Sequence, residues 1–290
     1  SVLKAVDKYA PLLRYSAANR GNDLRLGGNE APPSVISVFL GDTLTSILDR
    51  IAEGKAAVVN EQDMVKMGTS NLPRLLKDAT DRNRTSPFAF TGNRFEFRMA
   101  PSSGSIADPN IVLNSAVAEI LSEVSYRLET SEDREKETEQ IIRDFYREHK
   151  GIVFNGDGYS QEWFDEAERR GLKNYPTTID VLPEIKSETA AELFKRQNVF
   201  TLPELESRFN IGVEKYIKEL NIEASVMAEM AKLQIVPAAL KYAGNIATSL
   251  SDSKSLLADL DTKAEEDMLR EIHNNVSALL KKTDELAAAG

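Results

Sequence analysis

An alternating aromatic and charged pattern over residues 88–98 constrains the fold of this chain most strongly. Phe-Ala-Phe is followed by Thr-Gly-Asn and then by Arg-Phe-Glu-Phe-Arg, which is the pattern of a β-hairpin with a glycine-containing turn. Alternate side chains of a strand point to opposite faces. The second strand should therefore place Arg94, Glu96 and Arg98 on one face and two phenylalanine rings on the other.

The charged face of this strand has two interpretations. A carboxylate between two guanidinium groups suits a site that binds a metal ion together with an anionic substrate, because Glu offers hard oxygens and Arg binds phosphate or carboxylate. The same residues also fit a solvated strand with ordinary ion pairs between neighbours. The pattern by itself leaves both interpretations open.

Composition excludes several classes of function. The 290-residue chain carries a net charge of −10, which argues against nucleic-acid binding. It has no cysteine, so thiolate metal sites and cysteine nucleophiles are excluded and a reducing cytoplasm is the expected location. No apolar run approaches the ~20 residues that span a bilayer, so no membrane partner is expected. With only two histidines, a metal site should rest on carboxylates and favour Mg²⁺ or Mn²⁺.

The secondary-structure pattern changes along the chain. Residues 21–34 predict a turn-rich loop, residues 41–54 an amphipathic helix and residues 71–79 a short helix. Asp108-Pro109 predicts a helix start, with Asp as the N-cap. Helical sequence dominates from there to the end, with a break expected near Gly212. The last helix is expected to carry Leu257, Leu260 and further apolar residues up to Leu279 at spacings of three to five, which suggests a helical hairpin or a coiled-coil seam. The fold class is therefore predicted to be α+β over residues 1–128, followed by a mostly helical part over residues 129–290.

Three loops carry residues that could act chemically. In residues 25–33, Glu30 lies between Gly27-Gly28 and two prolines, which suits either a mobile loop over a site or an ordinary turn. In residues 81–84, two arginines could hold phosphate oxygens or form a basic turn. Residues 155–159 carry a Gly-x-Gly pattern without the setting of a nucleotide fingerprint, so a structural turn is expected. His149 and His273 are expected on the surface.

Several stretches resemble those of glutamine synthetases, most closely the type III class. Arg-Leu-Gly-Gly-Asn-Glu-Ala-Pro-Pro at residues 25–33 resembles the flap loop of that family. Asp-Arg-Asn-Arg at residues 81–84 resembles its nucleotide-phosphate motif, and Arg-Phe-Glu-Phe-Arg at residues 94–98 resembles its Arg-x-Glu-x-Arg strand. Ala107-Asp108-Pro109 resembles a helix start of the family, and residues 151–248 resemble the helical region particular to type III.

The resemblance implies a role for each matched residue. Arg25 and Arg98 would bind glutamate, and Glu96 would bind the divalent ion nearest ATP. Arg94 would contact the nucleotide phosphates. Two further residues would be catalytic, namely Glu30 in the flap and Arg84, which would stabilise the transferring phosphate. Leu24 departs from the family pattern, which has a polar residue before Arg25.

The activity implied is synthesis of glutamine from L-glutamate and ammonia with ATP, requiring Mg²⁺ or Mn²⁺, in a homo-oligomeric ring whose sites lie between subunits. The upstream metal ligands of the family have no counterpart in residues 1–20, so this chain is expected to be a C-terminal part that is inactive alone. The alternatives are another carboxylate–amine ligase of the same superfamily, or a non-catalytic helical assembly module.

Overall fold

The computed structural model describes residues 1–28, 31–55, 64–65, 75–76 and 85–289. Contacts divide the chain into two compact units, Ser1–Val213 and Glu214–Gly290. The first unit holds nine complete helices within the described ranges. They are α1 (Val2–Lys8), α2 (Ala10–Ser16), α3 (Arg20–Arg25), α4 (Gly41–Ala52), α5 (Ala107–Thr130), α6 (Arg134–His149), α7 (Gln161–Arg169), α8 (Thr178–Val181) and α9 (Glu188–Arg196).

The strands of the first unit are short and form two sheets. In the larger sheet, β1 (Val38–Phe39) pairs in parallel with β4 (Phe88–Phe90), which pairs antiparallel with β5 (Phe95–Phe97). The smaller sheet pairs β2 (Met64–Val65) with β3 (Leu75–Leu76). The predicted hairpin is therefore confirmed, and its turn contains Gly92 with a positive φ of 96°, a conformation that glycine adopts without steric cost.

The helices of the first unit enclose one hydrophobic core beside the larger sheet. Phe88 is buried against the rings of the facing strand, and Tyr9, Leu13, Phe145 and Phe194 bring α1, α2, α6 and α9 into the same cluster. Burial of such side chains is the main favourable term in folding. The sheet is thus supported from the apolar side, which leaves its other side for charged residues.

Some local predictions differ from the structure. The predicted loop at residues 21–34 contains α3, because Asn19 caps it by accepting a hydrogen bond from the Gly21 N–H. Leu75 and Leu76 form a strand within the predicted helix of residues 71–79, whose other residues lie outside the described ranges. Helix α5 starts at Ala107, whose N–H is bound by the Ser105 hydroxyl, so Asp108 is not its N-cap.

The first two helices are tied to a distant segment by a buried arginine. Arg14 is 1 % exposed, and its Nε and Nη2 donate to the carbonyls of Tyr175 and Pro176 at 2.9 and 3.4 Å. Burial lowers the pKa of Arg14 to about 10, and the nearby carboxylates of Asp23 and Asp180 oppose this shift. The guanidinium therefore remains charged at neutral pH and donates to two carbonyls of the segment that precedes α8.

The second unit contains a helical hairpin. Helix α10 (Leu202–Met230) begins in the first unit and leads through a π-helical turn (Ala231–Ile235) into α11 (Val236–Leu256). Helix α12 (Lys263–Ala289) packs antiparallel to α11, as ion pairs between Lys232 and Asp284 and between Lys254 and Glu266 show.

The hairpin predicted for the C-terminal helices is confirmed in outline. The predicted break near Gly212 is wrong, because α10 is continuous there and the irregular turn lies about twenty residues further on. Leu257 and Leu260 lie in the exposed connection rather than in the last helix. A small mixed sheet with surrounding helices, followed by long helices, confirms the predicted α+β class.

We predict that Arg14→Met lowers the free energy of unfolding by about 1.5–3 kcal/mol, because two partly buried carbonyls lose a charged donor. Urea denaturation followed by far-UV circular dichroism measures the change. Arg134→Met on the exposed first turn of α6 is the matched control and should stay within about 0.5 kcal/mol of the parent chain. Equal stability of both variants would show that the Arg14 hydrogen bonds contribute nothing net.

Candidate active site

Strand β5 brings its three charged residues together on one face. The Arg98 Nη2 and Nε lie 3.2 and 3.3 Å from the Glu96 Oε2. The Arg94 Nε lies 3.4 Å from the Glu96 Oε1. The carboxylate of Glu96 therefore stands between two guanidinium groups, in the row that the alternation predicted.

Exposure of the side chains falls along this row. The side chain of Arg94 is 73 % exposed, that of Glu96 is 37 % exposed, and that of Arg98 is 16 % exposed. Charge–charge attraction is screened least at the buried end. An anion that reaches Arg98 would therefore be held more strongly than one that meets Arg94 in solvent.

The opposite face of β5 is packed by aromatic rings. Phe95 lies 5.4 Å from Phe88 and 5.2 Å from Phe90 between ring centroids, and Phe97 lies 6.2 Å from Phe88. Contacts at these separations stabilise aromatic pairs beyond their area burial. A one-residue slip of β5 would bury the charges and expose the rings, so the packing holds the charged face in place.

A third arginine, Arg25 of α3, lies beside the end of β5. The Arg25 Nη1 donates to the Met99 carbonyl at 3.1 Å, and its Nη2 approaches the Arg98 carbonyl at 3.4 Å. Asn22 is fully buried; its side-chain oxygen accepts from Arg25 and its amide donates to the carbonyls of Ala17 and Met99. The structure thus brings the predicted residues Arg25 and Arg98 together, and Asn22 orients the former.

Sequence reasoning did not identify Asn22, since an asparagine in a turn-rich segment reads as a turn residue. Leu24, the departure noted before Arg25, is 76 % exposed. Its side chain leaves the hydrogen bonds of Arg25 to Asn22 and to the β5 carbonyls intact.

Two predicted catalytic residues, Glu30 and Arg84, lie outside the described residues. Their immediate successors in the chain are described. Ala31 is fully buried and Thr85 is 7 % exposed. The backbone is therefore packed inside the first unit directly after each of these two positions.

The loop of residues 155–159 contacts both of those successors. The Tyr159 hydroxyl donates to the Ala31 carbonyl at 2.9 Å. A Cβ added to Gly158 would lie 2.6 Å from the Thr85 carbonyl oxygen. Asn155 accepts from the N–H groups of Leu40 and Gly41 at 3.1 Å each and so caps α4. This loop is a turn, as expected, but nothing in its sequence indicated these three contacts.

The described residues do not assemble a complete metal site. Within residues 1–28, 31–55 and 85–289, no cluster of three or more Asp, Glu or His side chains is suitably placed to hold an ion. Glu96 would supply a single carboxylate, whereas Mg²⁺ takes six oxygen ligands, some of them waters. None of the described helices is long and apolar enough to cross a membrane.

One of the two histidines is not on the surface. His149 is 7 % exposed, and its Nδ1 lies 2.6 Å from an Asp7 carboxylate oxygen. It follows Ile141 and Phe145 at intervals of four residues and therefore continues the buried face of α6. The surface prediction fails for His149 because its charged sequence neighbours conceal this spacing, while His273 is exposed as expected.

Known proteins similar to this chain are glutamine synthetases. The chain is 42 % identical over 255 residues to a protein named type-3 glutamine synthetase from Dictyostelium discoideum. It is 38 % identical over 260 residues to a glutamine synthetase from Butyrivibrio fibrisolvens and 36 % identical over 290 residues to one from Bacteroides fragilis. Over most of its length the chain is similar to glutamine synthetases.

The helical part shows the same similarity. Residues 137–254 match the model of the glutamine synthetase C-terminal domain, close to the range whose resemblance to the type III region was predicted. The three alignments cover 87 %, 89 % and 96 % of this chain but only 35 %, 37 % and 40 % of the respective relatives. The chain thus spans well under half the length of these glutamine synthetases.

Loss of the remote cap on α4 should be measurable. Asn155→Ala removes the acceptor for two helix N–H groups, and we expect it to lower the free energy of unfolding by about 1–2 kcal/mol. Asn155→Asp keeps the acceptor and adds a negative charge at the helix N-terminus, but it loses the amide that donates to the Thr45 hydroxyl at 3.0 Å, so it should recover part of that loss. Thermal or urea unfolding measures both variants. A fully stable Asn155→Ala variant would contradict the capping role.

Proposed function

We propose that the protein containing this chain joins L-glutamate and ammonia into glutamine, with hydrolysis of ATP, through γ-glutamyl phosphate. The observation that carries this proposal is the Arg94–Glu96–Arg98 row in a chain that is 42 % identical to a type-3 glutamine synthetase. A carboxylate is a poor electrophile until it is phosphorylated. Phosphoryl transfer in turn needs cations placed where negative charge moves.

The row suits this chemistry at both ends. Arg98, at the buried end, would bind the carboxyl group of glutamate, and Arg94, at the exposed end, would contact the phosphates of ATP. Arg25 would bind glutamate beside Arg98. A guanidinium has five N–H donors, so Arg25 could hold the β5 carbonyls and still donate to a substrate carboxylate.

The two residues outside the described ranges complete the proposal. Arg84 would stabilise the transferring phosphate. Glu30 would help to deprotonate ammonium and shield the acyl phosphate from water, which would otherwise return it to glutamate and phosphate. The chain has no cysteine, which is compatible with a reducing compartment, and we place the reaction in the cytoplasm.

Glu96 is proposed as one ligand of Mg²⁺ or Mn²⁺. Its carboxylate offers the hard oxygens that these ions prefer. The ion would have to displace the guanidinium groups of Arg94 and Arg98, which pair with this carboxylate. Since the described residues gather no three-membered cluster, the other ligands would come from elsewhere in the assembled enzyme. When bound, the ion would neutralise charge on the ATP phosphates.

The two parts of the chain would have different tasks. We propose that residues 1–128 belong to the catalytic domain and that residues 129–290 form the helical region of the type III class. The match of residues 137–254 to the C-terminal domain of the family supports the second assignment. The larger sheet and the charged row, both before residue 100, support the first.

A homo-oligomer, arranged as a ring with sites shared between subunits, is proposed from the family resemblance. Seven large apolar side chains in the second unit are 43–67 % exposed. Exposed apolar residues in this number indicate a surface that packs against a partner. They are Ile217, Ile222, Val226, Met227, Met230, Leu233 and Ile235.

The charges along this exposed segment favour a second copy of the chain as the partner that packs against it. Residues 219–229 contain three glutamates and no basic residue, and residues 230–250 contain two lysines and no acidic residue. An antiparallel pairing of two copies would place acidic against basic halves, whereas a parallel pairing would place like charges together.

The proposed activity is tested in the full natural protein that contains this chain. Glutamine formation should require L-glutamate, ammonia, ATP and a divalent ion together. Glu96→Ala should lower the turnover number by about 100-fold or more, because one ligand of the divalent ion is removed. It should also raise the Mg²⁺ concentration needed for the half-maximal rate.

Glu132→Ala, in the exposed turn before α6, is the matched control for this substitution. Unchanged activity and Mg²⁺ dependence of Glu96→Ala would mean that the row is only an ion-pair network. Faster turnover with larger amines than with ammonia would instead indicate another carboxylate–amine ligase of the superfamily.

Assembly makes a separate prediction. The double substitution Ile222→Ser with Leu233→Ser should raise the protein concentration at which the oligomer dissociates by about tenfold or more, since apolar area is lost from each copy. Light scattering after size exclusion measures the mass. Leu256→Ser, at an 83 % exposed position at the end of α11, is the control. Identical masses at all concentrations would argue against this surface as an interface between copies.

A further inference from the structure

Helix α3 is bonded to the end of β5. The Asn22 side-chain amide donates to the Met99 carbonyl at 2.9 Å, and the Asn22 side-chain oxygen accepts from the Arg25 Nη1 at 3.0 Å. Arg25 itself reaches the carbonyls of Met99 and Arg98. Because Arg98 is the buried end of the charged row, these hydrogen bonds connect α3 directly to that row.

Asp23 ties the same helix to a segment far along the chain. Its Oδ1 accepts from the backbone N–H and from the hydroxyl of Thr178, at 2.7 Å each. Thr178 is 3 % exposed and is the first residue of α8, where a backbone N–H has no partner within the helix. Hydrogen bonds to a carboxylate are stronger than those between neutral groups. The Asp23 carboxylate therefore holds α3 against the start of α8.

Arg14 of α2 binds the residues just before Thr178. Its Nε donates to the Tyr175 carbonyl at 2.9 Å, and the Asp23 carboxylate opposes the lowering of the Arg14 pKa by burial. Residues of α2 and of α3 thus bind one segment. That segment lies inside the match to the glutamine synthetase C-terminal domain at residues 137–254.

A helix as short as α3 depends on such contacts for its position. It spans Arg20–Arg25, and an isolated helix of this length is unstable in water. The hydrogen bonds of Asn22 and Asp23 to other parts of the fold therefore fix where it lies. A shift of about 1 Å in α3 would move the Arg25 guanidinium relative to Arg98, and a displacement of that size weakens a site that needs both groups at once.

We propose that Asp23 and Thr178 are positioning residues that hold Arg25 beside Arg98, so that the affinity for glutamate depends on the start of α8. This inference rests on the proposed function, in which these two arginines bind glutamate. Arg94, the proposed contact of ATP, lies at the opposite, exposed end of the row. Binding of ATP should therefore not depend on the hydrogen bonds between Asp23 and Thr178.

The test measures the KM of each substrate in the full natural protein. Thr178→Val removes the hydroxyl donor but keeps a side chain of similar shape, whereas Thr178→Ser keeps the hydroxyl. We expect Thr178→Val to raise KM for L-glutamate about three- to tenfold with KM for ATP unchanged, and Thr178→Ser to stay close to wild type. A loss of stability alone would reduce the amount of active enzyme and leave both KM values as they are.

Thr201→Val, just before α10, is the matched control. The Thr201 hydroxyl also donates to a carboxylate at 2.7 Å, that of Glu204, so the same chemical group is lost away from α3. Both KM values should stay unchanged in this variant.

A double substitution tests whether Thr178 acts through Arg25. In an Arg25→Ala background, Thr178→Val should raise KM for glutamate no further, because residues of one hydrogen-bond network are not additive. An additive increase would overturn the proposal, since Thr178 would then act on glutamate binding by another route.

Hydrogen–deuterium exchange over peptides covering residues 20–26 supplies a readout without activity. Exchange should become several-fold faster in Thr178→Val and stay as in wild type in Thr178→Ser and Thr201→Val. If the wild-type protein forms no glutamine, the proposed function fails, and unchanged exchange in Thr178→Val would separately overturn the anchoring of α3. If the wild type is active, KM values for glutamate and ATP that rise together, or that both stay unchanged, would overturn the positioning role.

Discussion

The pairing of β4 with β5 is the constraint on which the candidate site depends. Its register places Ala89 opposite Glu96, and places Phe88 and Phe90 opposite Phe97 and Phe95. Because the rings pack on one face, the charged side chains must emerge on the other. A hairpin with three residues in each strand is marginal by itself, so the parallel pairing with β1 and the helical core beside it supply the stability that the row requires.

Segments far apart in the chain converge at this sheet. The end of α3 supplies Arg25, which bonds to carbonyls at the end of β5. The loop after residue 154 contacts the chain beside both Ala31 and Thr85. Arg14 joins α2 to the segment before α8 in the same unit. The charged row is therefore one part of a framework in which helical residues restrain the loops around the sheet.

The features predicted from sequence are those that depend on the local spacing of apolar residues and on short motifs. The β5 alternation, the α4 and α5 helices and the C-terminal hairpin follow from spacing, and the similarity to glutamine synthetases follows from several motifs in order. Contacts at long range were not accessible. From sequence, Asn22 and Gly158 are turn residues, and only the structure shows that Asn22 bonds to Met99 and that Gly158 packs against Thr85. His149 is expected on the surface because only Ile141 and Phe145, at intervals of four residues, reveal the buried face of α6.

If the proposed metal site is correct, Glu96 must change partners when a divalent ion and a nucleotide bind. An experimental structure of the full natural protein with Mn²⁺ and a non-hydrolysable ATP analogue measures this directly. We expect a Glu96 carboxylate oxygen within about 2.2 Å of the ion, with Arg94 turned toward the phosphates. A Glu96 that remains paired with both arginines, while the ion is held entirely by other residues, would contradict it.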